Sequence, residues 1–147
     1  MSHVRQQIRS RIGTLLTSGV SLVSSRVYGS RVYPLTEAKL PAVTVYAGAE
    51  QSGLITLGAK TLTRTLTVNV DVYALATANL DNDLDAICVQ VEEAVAADFT
   101  LNGLAKTTVL SGTEIDFSGE AEQPVGVARL NFSVSYVTDI DDVETAR

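Results

Sequence analysis

Three groups of residues in this chain have types and spacings that chemistry could use. Asp81, Asp83, Asp85 and Glu92 match positions 1, 3, 5 and 12 of a loop that wraps a calcium ion. The sixth position of such a loop turns sharply on glycine, and here it is Ala86. Leu84, Ile87 and Val91 keep helical spacing straight through the segment, so the acids complement the dipole of a helix start instead. Cys88 and His3 are the one cysteine and the one histidine, a thiol and a base in principle. No third group orients them, however, and Cys88 shares the apolar side of a helical segment, where cysteine acts as a small hydrophobe. Glu114, Asp116, Glu120 and Glu122 flank a turn, where carboxylates are ordinarily solvated. The expectation is no catalytic residue, no metal site and no cofactor.

Other chemistries fail on counts and spacing. A single cysteine forbids an intrachain disulfide and a multi-cysteine zinc site. Gly48 and Gly53 do not form a phosphate-cradling G-x-G-x-x-G, and no G-K-S/T follows a glycine run. Tyr28, Tyr33, Tyr46, Tyr73 and Tyr136 lie in strand-like segments without the basic interleaving of RNA-binding surfaces.

Charge is unevenly spread. Residues 1–64 hold eight basic residues against two acidic ones, whereas residues 65–147 hold three basic against fifteen acidic, for a net charge of −6. Such a balance disfavours non-specific nucleic-acid binding, which rewards clustered Lys and Arg. It would let copies of the chain meet basic surface to acidic surface, unless folding interleaves the two halves. No apolar run approaches the roughly 18 residues of a membrane span, and the N-terminal segment mixes charge through its apolar positions, unlike a signal peptide. A soluble protein, made and kept in the cytoplasm, is expected.

The elements that must carry these residues are legible from periodicity. Val4, Ile8, Ile12, Leu15 and Leu16 form one stripe of a helix over 3–18, with Ser2 as a cap and Gly19 as a stop. A short strand is expected in 26–33, then a polar connection between Pro34 and Pro41, then a strand over 42–50 ended by Gln51-Ser52-Gly53. In 61–75 Leu62, Arg64, Leu66, Val68, Val70 and Val72 share one parity, and Thr61, Thr63, Thr65, Thr67, Asn69, Asp71 and Tyr73 share the other. One face is apolar, as in an antiparallel sheet covered on one side, and the strand's length suggests a protruding end near Arg64. A second helix over 80–98 buries Leu80, Leu84, Ile87, Val91 and Val95. Strands at about 106–117 and 125–138 follow, and the acidic end 139–147 reads as a loose tail. At 147 residues this is one domain. The predicted class is α+β: a two-layer sandwich, a mainly antiparallel sheet with two helices packed on one face.

The segment Val32 to Gly53, VYPLTEAKLPAVTVYAGAEQSG, resembles the tail terminator proteins of long-tailed phages, the lambda minor tail protein U family. The likeness rests on Glu37-Ala38-Lys39-Leu40, on Pro41-Ala42-Val43-Thr44-Val45-Tyr46 and on Ala49-Glu50 before a glycine-containing loop. It continues through the alternating strand 61–75 and Asp83-Leu84-Asp85-Ala86-Ile87, and closes on Val134-Ser135-Tyr136-Val137. It covers nearly the whole chain as one domain, 1–138. The acidic extension 139–147 departs from the family pattern.

That resemblance implies a homohexameric ring on the completed tail tube. The ring would stop addition of tube subunits and present a surface to the head connector, with tail tube protein and a head-completion or stopper protein as partners. Phage DNA would pass through its lumen without sequence-specific contact, and no membrane is involved. It implies a virion protein at the head–tail junction, assembled in the host cytoplasm. Arg26, Arg31 and Arg64, with the loop from Glu50 to Lys60, are the candidate contacts to neighbouring subunits or rings. A stopper or tail-completion protein is the alternative reading; a monomeric small-ligand module ranks below it, and an enzyme last.

Overall fold

The computed structural model describes residues 2–24, 26–29, 41–55, 58, 60–75, 78–118 and 125–147. Helix α1 spans Val4–Gly19 and helix α2 spans Leu80–Ala96. The strands are β1 (Val27–Tyr28), β2 (Ala42–Leu54), β3 (Thr61–Leu75), β4 (Thr107–Ser118), β5 (Val125–Asp139) and β6 (Asp142–Ala146). They form one sheet in the order β1-β2-β3-β5-β4, with β6 pairing the end of β5. All pairings are antiparallel except β1 with β2.

The alternation along β3 decides the inner face. Leu66, Val68, Val70 and Val72 are fully buried and pair with Val134, Phe132, Leu130 and Ala128 of β5, all buried too. The helices cover this face. Val4, Ile8, Ile12 and Leu16 come from α1, at spacings of four, and Leu84, Ile87, Val91 and Val95 come from α2. Each stripe removes apolar surface from water on one side only, as the 3.6-residue period requires. His3, not Ser2, caps α1: its Nδ1 accepts from the Arg5 backbone N–H at 3.0 Å.

The expected two-layer sandwich is corrected. The described residues are 50% strand and 30% helix, mostly β, and the sheet is curled into a half-barrel that carries the two helices. Register shifts fall between Ala47 and Glu50, between Leu110 and Gly112 and between Thr138 and Asp139. A bulge bends its strand and raises the local twist, and strands of 12 to 15 residues accumulate that bend. Alternation fixes which face is buried and says nothing of curvature.

Two boundaries also differ from expectation. Strand β2 runs on to Leu54, pairing Gln51, Ser52 and Gly53 with Thr65, Arg64 and Thr63. The acidic end is ordered instead of loose: β6 pairs Ala146 with Thr138, the Arg147 N–H donates to the Val137 carbonyl at 2.8 Å, and Gln7 donates to the Glu144 carbonyl at 2.9 Å. Of the strand expected in 26–33, residues 30–33 lie outside the described residues.

Candidate functional site: two carboxylate clusters and an open sheet margin

Gly48 sits where β2 changes phase. Ala47 pairs with Val68, but the next pair inward is Glu50 with Leu66, so one extra residue is accommodated and every later side chain changes face. A Cβ at position 48 would come within 3.2 Å of Asn69 Nδ2, which favours glycine there. The consequence is that Glu50 turns to the inner face, where Arg64 already points by its parity.

At that end of the sheet the apolar core gives way to a charged cluster. The Glu50 side chain is 8% exposed, and its Oε2 accepts from Arg5 Nη1 at 3.1 Å and from Arg64 Nη1 at 3.2 Å. Oε1 accepts from the Tyr136 hydroxyl. Arg64, 11% exposed, also donates from Nε to Thr138 Oγ1 at 3.0 Å. Four elements (α1, β2, β3 and β5) meet on one carboxylate. Burial first, and the hydrogen bond to Glu50 second, push the Tyr136 phenol above its ordinary range. His3 is shifted down, by loss of hydration and then by the charges of Arg5 and Arg64.

A second buried carboxylate lies on the opposite parity of β3. The Asp71 side chain is 2% exposed. It accepts from Tyr46 Oη at 2.8 Å and from Arg129 Nε and Nη2 at 2.9 and 3.2 Å. The Tyr73 hydroxyl approaches to 3.4 Å, and burial followed by the Asp71 charge raises its titration. Arg129 also stands 6.0 Å from the centre of the Tyr46 ring, within cation–π range. Asp71 drew no notice in the sequence. Its parity with four threonines, Asn69 and Tyr73 points to a wet face, and only the pairing of Asp71 with Arg129 across β3 and β5 reveals it.

Of the sequence-nominated contacts, the structure thus brings Glu50 and Arg64 together, both turned inward. Arg26 is half-buried and donates from Nε to the Pro41 carbonyl at 2.8 Å. Lys60 is exposed, and its carbonyl accepts from the Ile140 N–H at 2.8 Å. Arg31 lies outside the described residues.

Of the other chemistry-bearing residues, Glu120 and Glu122 lie outside the described residues. Asp81 to Glu92 lie on the unbroken helix α2. Cys88 is buried, and loss of hydration, then Glu92 and Asp85, push its thiol up to about 11, far from a reactive thiolate. Asp98 links α1 to the turn after α2. Its carboxylate accepts from the Asn102 N–H at 3.1 Å and from Arg11 Nε at 2.9 Å, and those two bonds hold it below the ordinary carboxylate range.

Among the described residues, the apolar surface left open is concentrated on β4. This strand is one margin of the main sheet order, and Val109, Leu110, Ile115 and Phe117 are 38–56% exposed. Leu110 and Ile115 pair with Phe132 and Ala128, so they belong to the same face as the core, at a width the helices leave uncovered. No described helix is long and apolar enough to cross a membrane.

Compared with known proteins, the chain matches a family model described as phage minor tail protein U over residues 3–136. No curated protein matches it.

Proposed function

This chain belongs to the phage minor tail protein U family and has a structural role in the phage tail, and from that premise we propose that it is the tail terminator. In this reading identical copies close into a hexameric ring on the finished tube, end its growth and offer the opposite ring face to the head connector. The observation that carries the reading is the family match across residues 3–136. Two structural features support it. Among the described residues, the two most elaborate polar clusters hold their carboxylates in internal pairing. The β4 margin leaves Val109, Leu110, Ile115 and Phe117 exposed, apolar surface that a contact between subunits would bury. Contacts between different surfaces of one subunit are what a closed ring requires.

The partners of the ring are the tube protein on one side and a head-completion or stopper protein on the other, with DNA passing through the lumen. The exposed hairpin between β2 and β3, residues 51–55 and Lys60, carries Leu54 and Ile55 at 50% and 52% exposure and is the projecting element suited to such contact. The decisive experiment is electron microscopy of particles assembled without this chain. Overlong tails lacking heads are expected. Tails of normal length that fail to join heads would replace the terminator by a stopper.

A further inference from the structure

The sheet order separates the two halves of the charge distribution. Strands β1 and β2, with α1 above them, come from the basic first half of the chain; β5 and β4 come from the acidic second half; β3 lies between. Folding neutralises part of the imbalance, since Arg11 pairs with Asp98 and acidic β6 lies beside α1, and what remains is a local difference between the two margins of the sheet.

Each margin has its own chemistry. At the β4 margin, exposed Glu114 and Asp116 point to the outer face of the strand and alternate with Ile115 and Phe117, which with Leu110 point to the core face. Their nearest cation across the strand pair is Arg129, opposite Glu114, and it is already engaged by Asp71. The following segment adds Glu120 and Glu122 to the sequence, whereas Lys106 precedes the strand. Between Thr107 and Ser118 there is neither lysine nor proline; Glu114, Asp116 and the bulge at Leu110–Gly112 are what guard this edge.

The opposite margin is basic. Helix α1 carries Arg5, Arg9 and Arg11 and no acidic residue. Arg5 is engaged by Glu50 and Arg11 by Asp98. Arg9 Nε is buried with no hydrogen-bond partner among the described residues. It lines a cleft of about 370 Å³ between α1 and β1, together with Gln6, Thr14, Val27 and Tyr28. On the outer side of β2, among the described residues, only Val43 and Thr44 are paired, with β1. Among the described residues both margins therefore present strand edge, with exposed acids at one and the Arg9 guanidinium at the other.

We propose that the acidic, apolar β4 margin of one copy docks on the basic α1–β1 margin of the next, with Glu114 and Asp116 facing the Arg9 cleft. This rests on the ring reading given above and specifies its subunit contact. A head-to-tail contact uses two different surfaces and closes on itself by rotation, unlike a two-fold contact. It would bury Ile115 and Phe117, which the subunit alone leaves in water, and give the Arg9 guanidinium a carboxylate partner. Complementary charge also disfavours β4-to-β4 pairing, because like acids would face each other.

The test uses two complementary variants of the full chain, scored for ring formation on purified tail tubes by mass photometry and electron microscopy. Variant one is Glu114→Lys with Asp116→Lys; variant two is Gln6→Glu with Arg9→Glu. Each alone should lose ring formation at least tenfold while keeping the wild-type circular dichroism spectrum. Mixed, the two should alternate around an even-numbered ring, and assembly should return to within about threefold of wild type. An uncharged pair, Ile115→Ser with Phe117→Ser, should weaken assembly without rescue by variant two. Variants that assemble like wild type, or a mixture that stays unassembled from two folded partners, would overturn the contact. Wild-type protein that forms no ring on tubes would instead overturn the ring reading itself.

Discussion

Glu50 and Asp71 are both buried carboxylates within one sheet, yet they are held in different ways. Glu50 faces the core side and is met by two guanidinium groups, one of them the nearly buried Arg64, and by a tyrosine hydroxyl. Asp71 faces the other side and is met by two tyrosine hydroxyls and by Arg129, whose side chain is 45% exposed. What separates them is the fate of the partner once the carboxylate is gone. Arg64 would be left charged in a site that water barely reaches, whereas Arg129 can swing into solvent. The first cluster also joins a helix to three strands; the second ties together neighbouring strands that the sheet already holds.

That contrast sets the order of effects. Glu50→Ala should destabilise most, by about 3–5 kcal/mol, because it strands a buried cation; a large fall in the urea midpoint would show it. A loss under about 1 kcal/mol would mean that Arg64 relaxes to water and that the cluster is more open than its burial indicates. Asp71→Ala should cost less, about 1–3 kcal/mol, chiefly by leaving the buried Tyr46 hydroxyl without its acceptor. If Tyr46→Phe combined with Asp71→Ala is no worse than Asp71→Ala alone, the hydroxyl accounts for the cost, as a double-mutant cycle measures. Equal losses for Glu50→Ala and Asp71→Ala would erase the distinction.

The same pair shows how far residue pattern reaches. Strand β3 was legible because strict alternation leaves one apolar face, and Arg64 stood on that face in the sequence as it does in the fold. Its burial was hidden because its partner Glu50 arrives through a one-residue phase change at Gly48. A glycine inside a strand is the signal for such a bulge, but it does not say which way the following residues turn. Both helices could be read because stripes at spacings of three and four need no partner to be recognised. The curl of the sheet could not, since it accumulates from three bulges and long strands. Strand β6 was hidden as well: DVETA is acidic, and its pairing is decided by the length of β5. Asp71 escaped notice because cross-strand pairing, not local sequence, supplies Arg129.

The margins of the sheet repeat the lesson at larger scale. The imbalance between the two halves of the sequence was visible at once; the fold cancels part of it, through Arg11 with Asp98 and β6 beside α1, and leaves Glu114 and Asp116 exposed at the β4 margin. On this account the molecule works through those margins. The most direct measurement is high-resolution electron microscopy of the ends of finished tails. The account predicts a closed ring of this chain at the head-proximal end, with the β4 margin of each copy against α1 and β1 of its neighbour. A single copy at the tube end, or copies related by two-fold contacts between like margins, would contradict it.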